Sequence, residues 1–300
     1  MAGGRIAIWI GSLPTAAALL FCAAAPAATV TSNTATAGAP ADSPASASAN
    51  CPAKQHVVAA GFATTTTPTQ GVLATSLVPT ATGVTAGALN VSGTAGSVSG
   101  TAYCTPNAPT KKGKKKKKKK AKHAAAAKKK KKKKHKKPSN PQVLSGTWPI
   151  PGGAATGTAT VTCPQGKTVR GAGFSTVPVT GGTYVLSSLE LVSPSQVRAV
   201  VEGYSLPTNA TTVTATALCG TGPALGTVIG PAASIPAGAS GTSTASCPAG
   251  KTVAFGGLTE GGTTVVAYPD GLARASSSSV TASAFSNAAG QTVTAIAYCG

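Results

Sequence analysis

Side chains able to do acid–base chemistry are few: the acids Asp42, Glu190, Glu202, Glu260 and Asp270, and the histidines His56, His123 and His135, in 300 residues. Hydrolysis near neutral pH wants two spaced carboxylates, or a nucleophile with a histidine and a third orienting group. Neither pattern is present. Glu190 and Glu202 flank one expected hairpin, with Arg198 available as an ion-pair partner. His56 aligns with Thr168 and Thr252 of the repeats described below, and so reads as a surface strand residue. His123 and His135 sit among lysines, which disfavour a protonated imidazole. Gly166-Lys167-Thr168 and Gly250-Lys251-Thr252 end like a phosphate-binding loop, but that motif requires glycine where Val161 and Ala245 stand. No catalytic residue, cofactor or metal site is expected, and the chain reads as a non-enzyme.

Cysteine is the residue type whose spacing does point to chemistry. There are seven, and Cys22 falls in an expected export leader, residues 1–27. Arg5 opens it, Ile6 to Cys22 are apolar, and Ala25-Pro26-Ala27 supplies a small-x-small cleavage site. Gly11 and Pro14 weaken the rival reading as a membrane anchor. Phe21 stands where a lipoprotein site wants a small residue. The six remaining cysteines, in an exported chain, imply bridges. The chain is expected outside the cell, free or held at its surface.

Internal repetition selects the pairing. CPAKQHVVAAGF, CPQGKTVRGAGF and CPAGKTVAFGGL begin at Cys51, Cys163 and Cys247. Each stretch has valine, then glycine, at matching offsets: Val57, Val169 and Val253, then Gly61, Gly173 and Gly257. Phe62, Phe174 and Leu258 follow the glycines. Each unit closes alike, at Cys104, Cys219 and Cys299. Apolar–polar alternation before these cysteines, as in Val213, Ala215, Ala217 and Cys219, has the period of a half-buried strand. Further strands are expected over Tyr184 to Val192, Val197 to Tyr204, Thr263 to Tyr268 and Val280 to Phe285. The glycine before Phe62 or Phe174 suits a bulge that re-aims the aromatic. Equivalent positions then pair Cys51 with Cys104, Cys163 with Cys219 and Cys247 with Cys299. Closing loops of just over fifty residues is worth about 4 kcal/mol each in the chain-entropy model.

Large apolar and aromatic side chains are scarce, so several thin strand-built units fit better than one large core. The fold class expected is all-β: two to three small, disulfide-closed, β-sandwich-like repeat modules. Their bounds are 28–104 (with 28–44 disordered), 142–219 and 220–300, with a disordered lysine-rich linker over 105–141. A free unit one beside paired units two and three is favoured over a pseudo-symmetric assembly of all three.

The net charge of +21 belongs to that linker, since the chain has 26 basic and 5 acidic residues in all. Nineteen of the basic residues are Lys111, Lys112, Lys114, Lys115, Lys116, Lys117, Lys118, Lys119, Lys120, Lys122, Lys128, Lys129, Lys130, Lys131, Lys132, Lys133, Lys134, Lys136 and Lys137. Such a run repels itself and buries nothing. It can bind polyanions by counterion release: wall teichoic acid, sulfated glycan, anionic lipid or released DNA. With no arginine fork and no aromatic to stack on bases, it reads no nucleic-acid sequence. The competing role is a solvated spacer that keeps unit one apart.

The pattern C-P-x-G-K-x-V-x-x-G-G, closed some fifty residues later by T-A-x-A-x-C, resembles repeats of exported actinobacterial proteins. The resemblance covers units two and three well and unit one loosely, where Lys54 replaces the turn glycine. It implies a small extracellular all-β module and assigns it no activity. The lysine tract is similar in composition to the basic tails of linker histones and histone-like mycobacterial proteins. Together these features point to a secreted structural or adhesive protein. The alternative is a carbohydrate- or ligand-binding module using the loops of unit two, where Trp148, Tyr184 and Tyr204 gather.

Overall fold

The computed structural model of the chain describes residues 30–65, 71–107, 141–178, 182–205, 208–262 and 267–300. The expected leader and the whole lysine tract, with His123 and His135, lie outside the described residues. Within them the protein is all-β, without helix.

Each repeat supplies six strand positions. The first repeat contains β1 (Thr31–Ala39), β2 (Pro44–Asn50), β3 (Gln55–Thr64), β4 (Val72–Pro79), β5 (Gly83–Asn90) and β6 (Gly96–Pro106). The second contains β7 (Gln142–Ile150), β8 (Thr156–Thr162), β9 (Thr168–Thr176), β10 (Thr183–Ser193), β11 (Gln196–Ser205) and β12 (Thr211–Gly220). In the third the first position is split into β13 (Gly226–Ile229) and β14 (Ala233–Ile235) by Gly230-Pro231, because proline has no N–H to donate to the ladder. Then follow β15 (Ala239–Ser246), β16 (Val253–Gly261), β17 (Tyr268–Arg274), β18 (Ser279–Ser286) and β19 (Gln291–Cys299).

The disordered lead-in expected over 28–44 is instead strand and turn over its described residues, 30–44: β1 pairs with β6 in unbroken register from Thr31↔Cys104 to Ala39↔Gly96. Its small Ala35, Ala37 and Ala39 pack on the core, a contribution that a search for large apolar residues overlooks. Most of the strand expected over Thr263 to Tyr268, residues 263–266, lies outside the described residues, and β17 runs from Tyr268 to Arg274.

The three repeats are interlocked, which corrects the picture of a free first unit. Every repeat divides its strands between two sheets, and every sheet joins two repeats. One sheet runs β1-β6-β3-β17-β18-β15, the second β2-β5-β4-β9-β12-β7, and the third β13-β19-β16-β10-β11-β8 with β14 also on β19. The opening strands β3, β9 and β16 touch one another around a pseudo-threefold axis. Residue pairs at the three junctions are equivalent: Leu77↔Phe174, Leu189↔Leu258 and Leu272↔Phe62. One continuous apolar cluster, rich in alanine and valine, runs through all three repeats. Small residues on interdigitating sheets bring backbones close enough to build one core where several thin ones were expected.

The repeated glycine makes this contact possible. A Cβ on Gly61, Gly173 or Gly257 would collide with the carbonyl oxygen of Leu272, Leu77 or Leu189, each on the strand of a neighbouring repeat. The expected bulge is real but lies three residues earlier, at Val58, Arg170 and Ala254, where the ladder to the closing strand skips a residue. Disulfides join Cys51 to Cys104, Cys163 to Cys219 and Cys247 to Cys299, each within one repeat. Lys54 keeps the turn that its glycine counterparts make. Its φ is +68°, beside +77° at Gly166 and Gly250, and Gln55, Lys167 and Lys251 each donate their N–H to the proline carbonyl three residues back.

Candidate functional site

The disulfides mark one end of the body. Closing strands finish there, the turns after Cys51, Cys163 and Cys247 lie there, and so do the fourth-to-fifth hairpin turns. Thr82, Ser195 and Ser278 of those turns accept the N–H of Cys51, Cys163 and Cys247. The opposite end carries the first-to-second and fifth-to-sixth turns.

Charge is sorted between these ends. All six described cations outside the tract lie in the disulfide half: Lys54, Lys167 and Lys251 in the turns, Arg170 at its bulge, Arg198 near the start of β11 and Arg274 ending β17. One acid shares this half. Glu190 accepts from Arg198 across the β10–β11 hairpin at 2.6 Å, the ion pair expected from sequence. Arg170 donates to the Pro223 carbonyl at 3.0 Å, and Arg274 to those of Ser276 and Ser277. Burial lowers the pKa of both guanidinium groups. His56 pairs its Nδ1 with Asn107 Oδ1 at 2.9 Å, tying down the point where the described chain stops before the tract. Where it resumes, Lys167 Nζ donates to Gln142 at 2.7 Å. The described residues that flank the tract, Asn107 and Gln142, therefore both stand at the cationic, disulfide-bearing end.

Asp42, Glu202, Glu260 and Asp270 occupy the other half. Glu260 is half-buried as a residue, yet both its carboxylate oxygens are sealed from solvent with no described hydrogen-bond partner. Burial raises its pKa well above the ordinary glutamate value, helped by repulsion from Glu202 and then Asp270. Ser187 donates to Glu202 at 2.9 Å and Ser240 to Asp270 at 2.5 Å. Ser187 and Asp270 are bulge residues at equivalent points of β10 and β17, matched by the buried Thr75 of β4. Among the described residues, no group of three His, Cys, Asp or Glu side chains could hold a metal. Sequence could not show this sorting, because it depends on which end each strand begins at.

The aromatic residues of unit two do not gather as expected. Tyr184 is buried in the core, and its hydroxyl donates to the Ala154 carbonyl at 2.6 Å. Tyr204 packs edge-on against Tyr268 of the third repeat, ring centroids 5.1 Å apart. Trp148 alone stands out, 61% exposed on the edge strand β7. It borders a groove of about 380 Å³ shared with Pro149, Pro151, Thr156, Gly157, Thr158 and Thr160. That groove is formed by two strands and the start of a turn, where the sequence suggested loops.

No protein-family model matches the chain, and no curated protein matches it.

Proposed function

We propose that the chain is a secreted, non-enzymatic structural or adhesive body that holds out a lysine-rich loop to polyanions at the cell exterior. One observation carries this reading. The joint between the second and third repeats takes five residues, 221–225, whereas the equivalent joint between the first and second takes thirty-five, 107–141. A spacer earns its length by keeping units apart, yet these repeats are hydrogen-bonded to one another on both sides. The fold closes the equivalent joint with thirty residues fewer, and nineteen lysines without an acid concentrate charge in the longer one. Three intramolecular disulfides fit an oxidising compartment. Outside the cell the matching ligands are teichoic acids, sulfated glycans, anionic lipid headgroups and released DNA. They share dense phosphate or sulfate charge, which point-charge lysines meet without selecting a sequence.

The test replaces residues 111–137 with a Gly/Ser segment in the exported protein and measures binding to teichoic acid, heparin and DNA. Binding is expected to vanish. If about 10 lysines engage duplex phosphates, log affinity falls against log salt with a slope near −9, or about −7 for single strands. Scrambling the DNA sequence is expected to change nothing, and all-arginine tracts to bind as well or better. Salt-insensitive binding that outlives the replacement would remove the tract from the mechanism.

A further inference from the structure

We propose that the corner between β7 and β8 is a second binding site, for a neutral polysaccharide, with the Trp148 indole stacked on the apolar face of a pyranose ring. Register identifies what is unusual about this position. Trp148 pairs with Val213, Ala37 with Val98 and Ala233 with Val293, so the three are equivalent. The other two repeats place a half-buried alanine here. The second repeat places the only tryptophan among the described residues and leaves most of it in water. Trp148 has the inward parity of Leu144, Gly146 and Ile150, but it is largely exposed and lines a groove together with the outward threonines of β8.

The β8 side of that groove is a row of exposed threonines, Thr156, Thr158 and Thr160, alternating with buried Gly157 and Ala159. Their hydroxyls recur about every 6.7 Å along the strand. Elsewhere on the outer faces such hydroxyls satisfy one another across strands, as in Thr34–Thr101, Thr36–Ser99, Ser48–Thr85 and Thr147–Thr214. Those of Thr156, Thr158 and Thr160 have no described partner, so they are available both to donate and to accept.

The groove is already formed. A Cβ on Gly146 would strike the Thr160 carbonyl, and one on Gly157 the Ile150 side chain, so the two strands that form it touch. Rigid walls spare a ligand the cost of ordering them. A volume near 380 Å³ is adequate for a short run of sugars. The lining carries no charge, which separates this site chemically from the lysine tract. An indole face beside proline and a line of free hydroxyls matches a sugar ring, apolar on one face and hydroxylated at its rim.

Once the expected leader has removed Trp9, Trp148 is the sole tryptophan, and its fluorescence reports the site directly. The secreted protein is titrated with four- to six-residue oligosaccharides from glucan, mannan, galactan and chitin. At least one series is expected to give a saturable blue shift that 1 M salt leaves unchanged, whereas polyanion binding by the tract collapses at that salt. Trp148→Ala is expected to weaken co-sedimentation with the parent polysaccharide at least tenfold without moving the thermal transition. Trp148→Phe is expected to restore part of the binding, and Thr158→Val to cost several-fold. Three results would overturn the site: no saturable shift in any series, undiminished co-sedimentation of Trp148→Ala, or a shift with a proline-rich peptide in place of sugars.

Discussion

At the disulfide end each repeat is closed by a cystine, a turn after Cys-Pro, and a hairpin turn whose carbonyl accepts the cysteine N–H. Its two half-buried arginines donate to backbone carbonyls of nearby connecting segments, with the Arg170 Nε the one buried side-chain atom of this end that has no described partner. At the far end Thr64, Thr183, Glu260 and Gln291 each bury a polar side-chain atom with no described partner. One repeat sequence, copied three times, has thus produced a braced end that carries the cations and a costlier end that holds most of the acids. On the proposed function the bracing lies where it is needed, since a ligand pulling on the tract would load β6 and β7, the strands that flank it. Three perturbations probe the contrast, in descending order of expected effect.

The braced end is tested by cutting a brace. Replacing Cys163 and Cys219 together by serine is expected to cost about 4 kcal/mol. Because β9 and β10 each pair with strands of other repeats, the loss should lower a single transition of the whole body. Near- and far-ultraviolet circular dichroism melts should shift together. Separate transitions, one repeat melting while two persist, would restore the picture of independent modules.

Between the ends stand the glycine junctions. Gly173→Ala drives a methyl into the Leu77 carbonyl and the Pro79 ring, and backbone has little room to yield. A cost of about 1–3 kcal/mol is expected, typical of overpacking. Gly61→Ala should cost less, since its Cβ would sit 2.6 Å from the Leu272 oxygen, the loosest of the three junctions. Urea melts of the three alanine variants should rank Gly173 and Gly257 above Gly61. Equal and negligible losses would mean the junctions are soft.

These glycines also show what the sequence carried and what it could not. Their recurrence at one offset revealed the repeat, and hence the cysteine pairing. Period-two alternation revealed the closing strands, and with them the all-β class. The reason for the glycine was hidden, because the atom that forbids a Cβ belongs to another repeat almost a hundred residues away in the case of Gly173 and Leu77. Strands such as β1 and β2, made mostly of alanine, serine and threonine, carry no signal for a reading that weighs large apolar groups. The Trp148 groove was half legible. Trp148 is legible as a candidate aromatic, but the β8 threonines become its neighbours only when β7 folds against β8.

The far end yields the smallest effect and the clearest sign. The Glu260 carboxyl is raised by burial first, then by Glu202 on β11 and Asp270 on β17. Tyr268, also on β17, is itself pushed up to about 12 by burial, with Tyr204 and Glu260 adding to it. No cation is among the groups that shift Glu260. Below the ordinary glutamate pKa of about 4.3, folded and unfolded chains both hold the proton and the site costs nothing extra. Above it the unfolded chain ionises freely while the folded chain must keep the proton or bury a charge. Stability from this group is therefore full in acid and lost as pH climbs through the raised pKa. Glu260→Gln is nearly isosteric and stays neutral. Near pH 4 it should melt with the parent, and by pH 8 it should be more stable by on the order of 1 kcal/mol, the low end of the cost of an unsatisfied buried polar group. In a body of this size that is a gain of roughly 2–4 °C. Glu202→Gln removes one of the repelling charges, so in that variant the decline with pH should start from the same acid-side stability, end sooner and be smaller in total. Thermal melts of the three proteins from pH 4 to 9 decide the matter, and a gap between parent and Glu260→Gln that stays constant across that range would mean the carboxyl finds a partner or solvent that the fold described above does not give it.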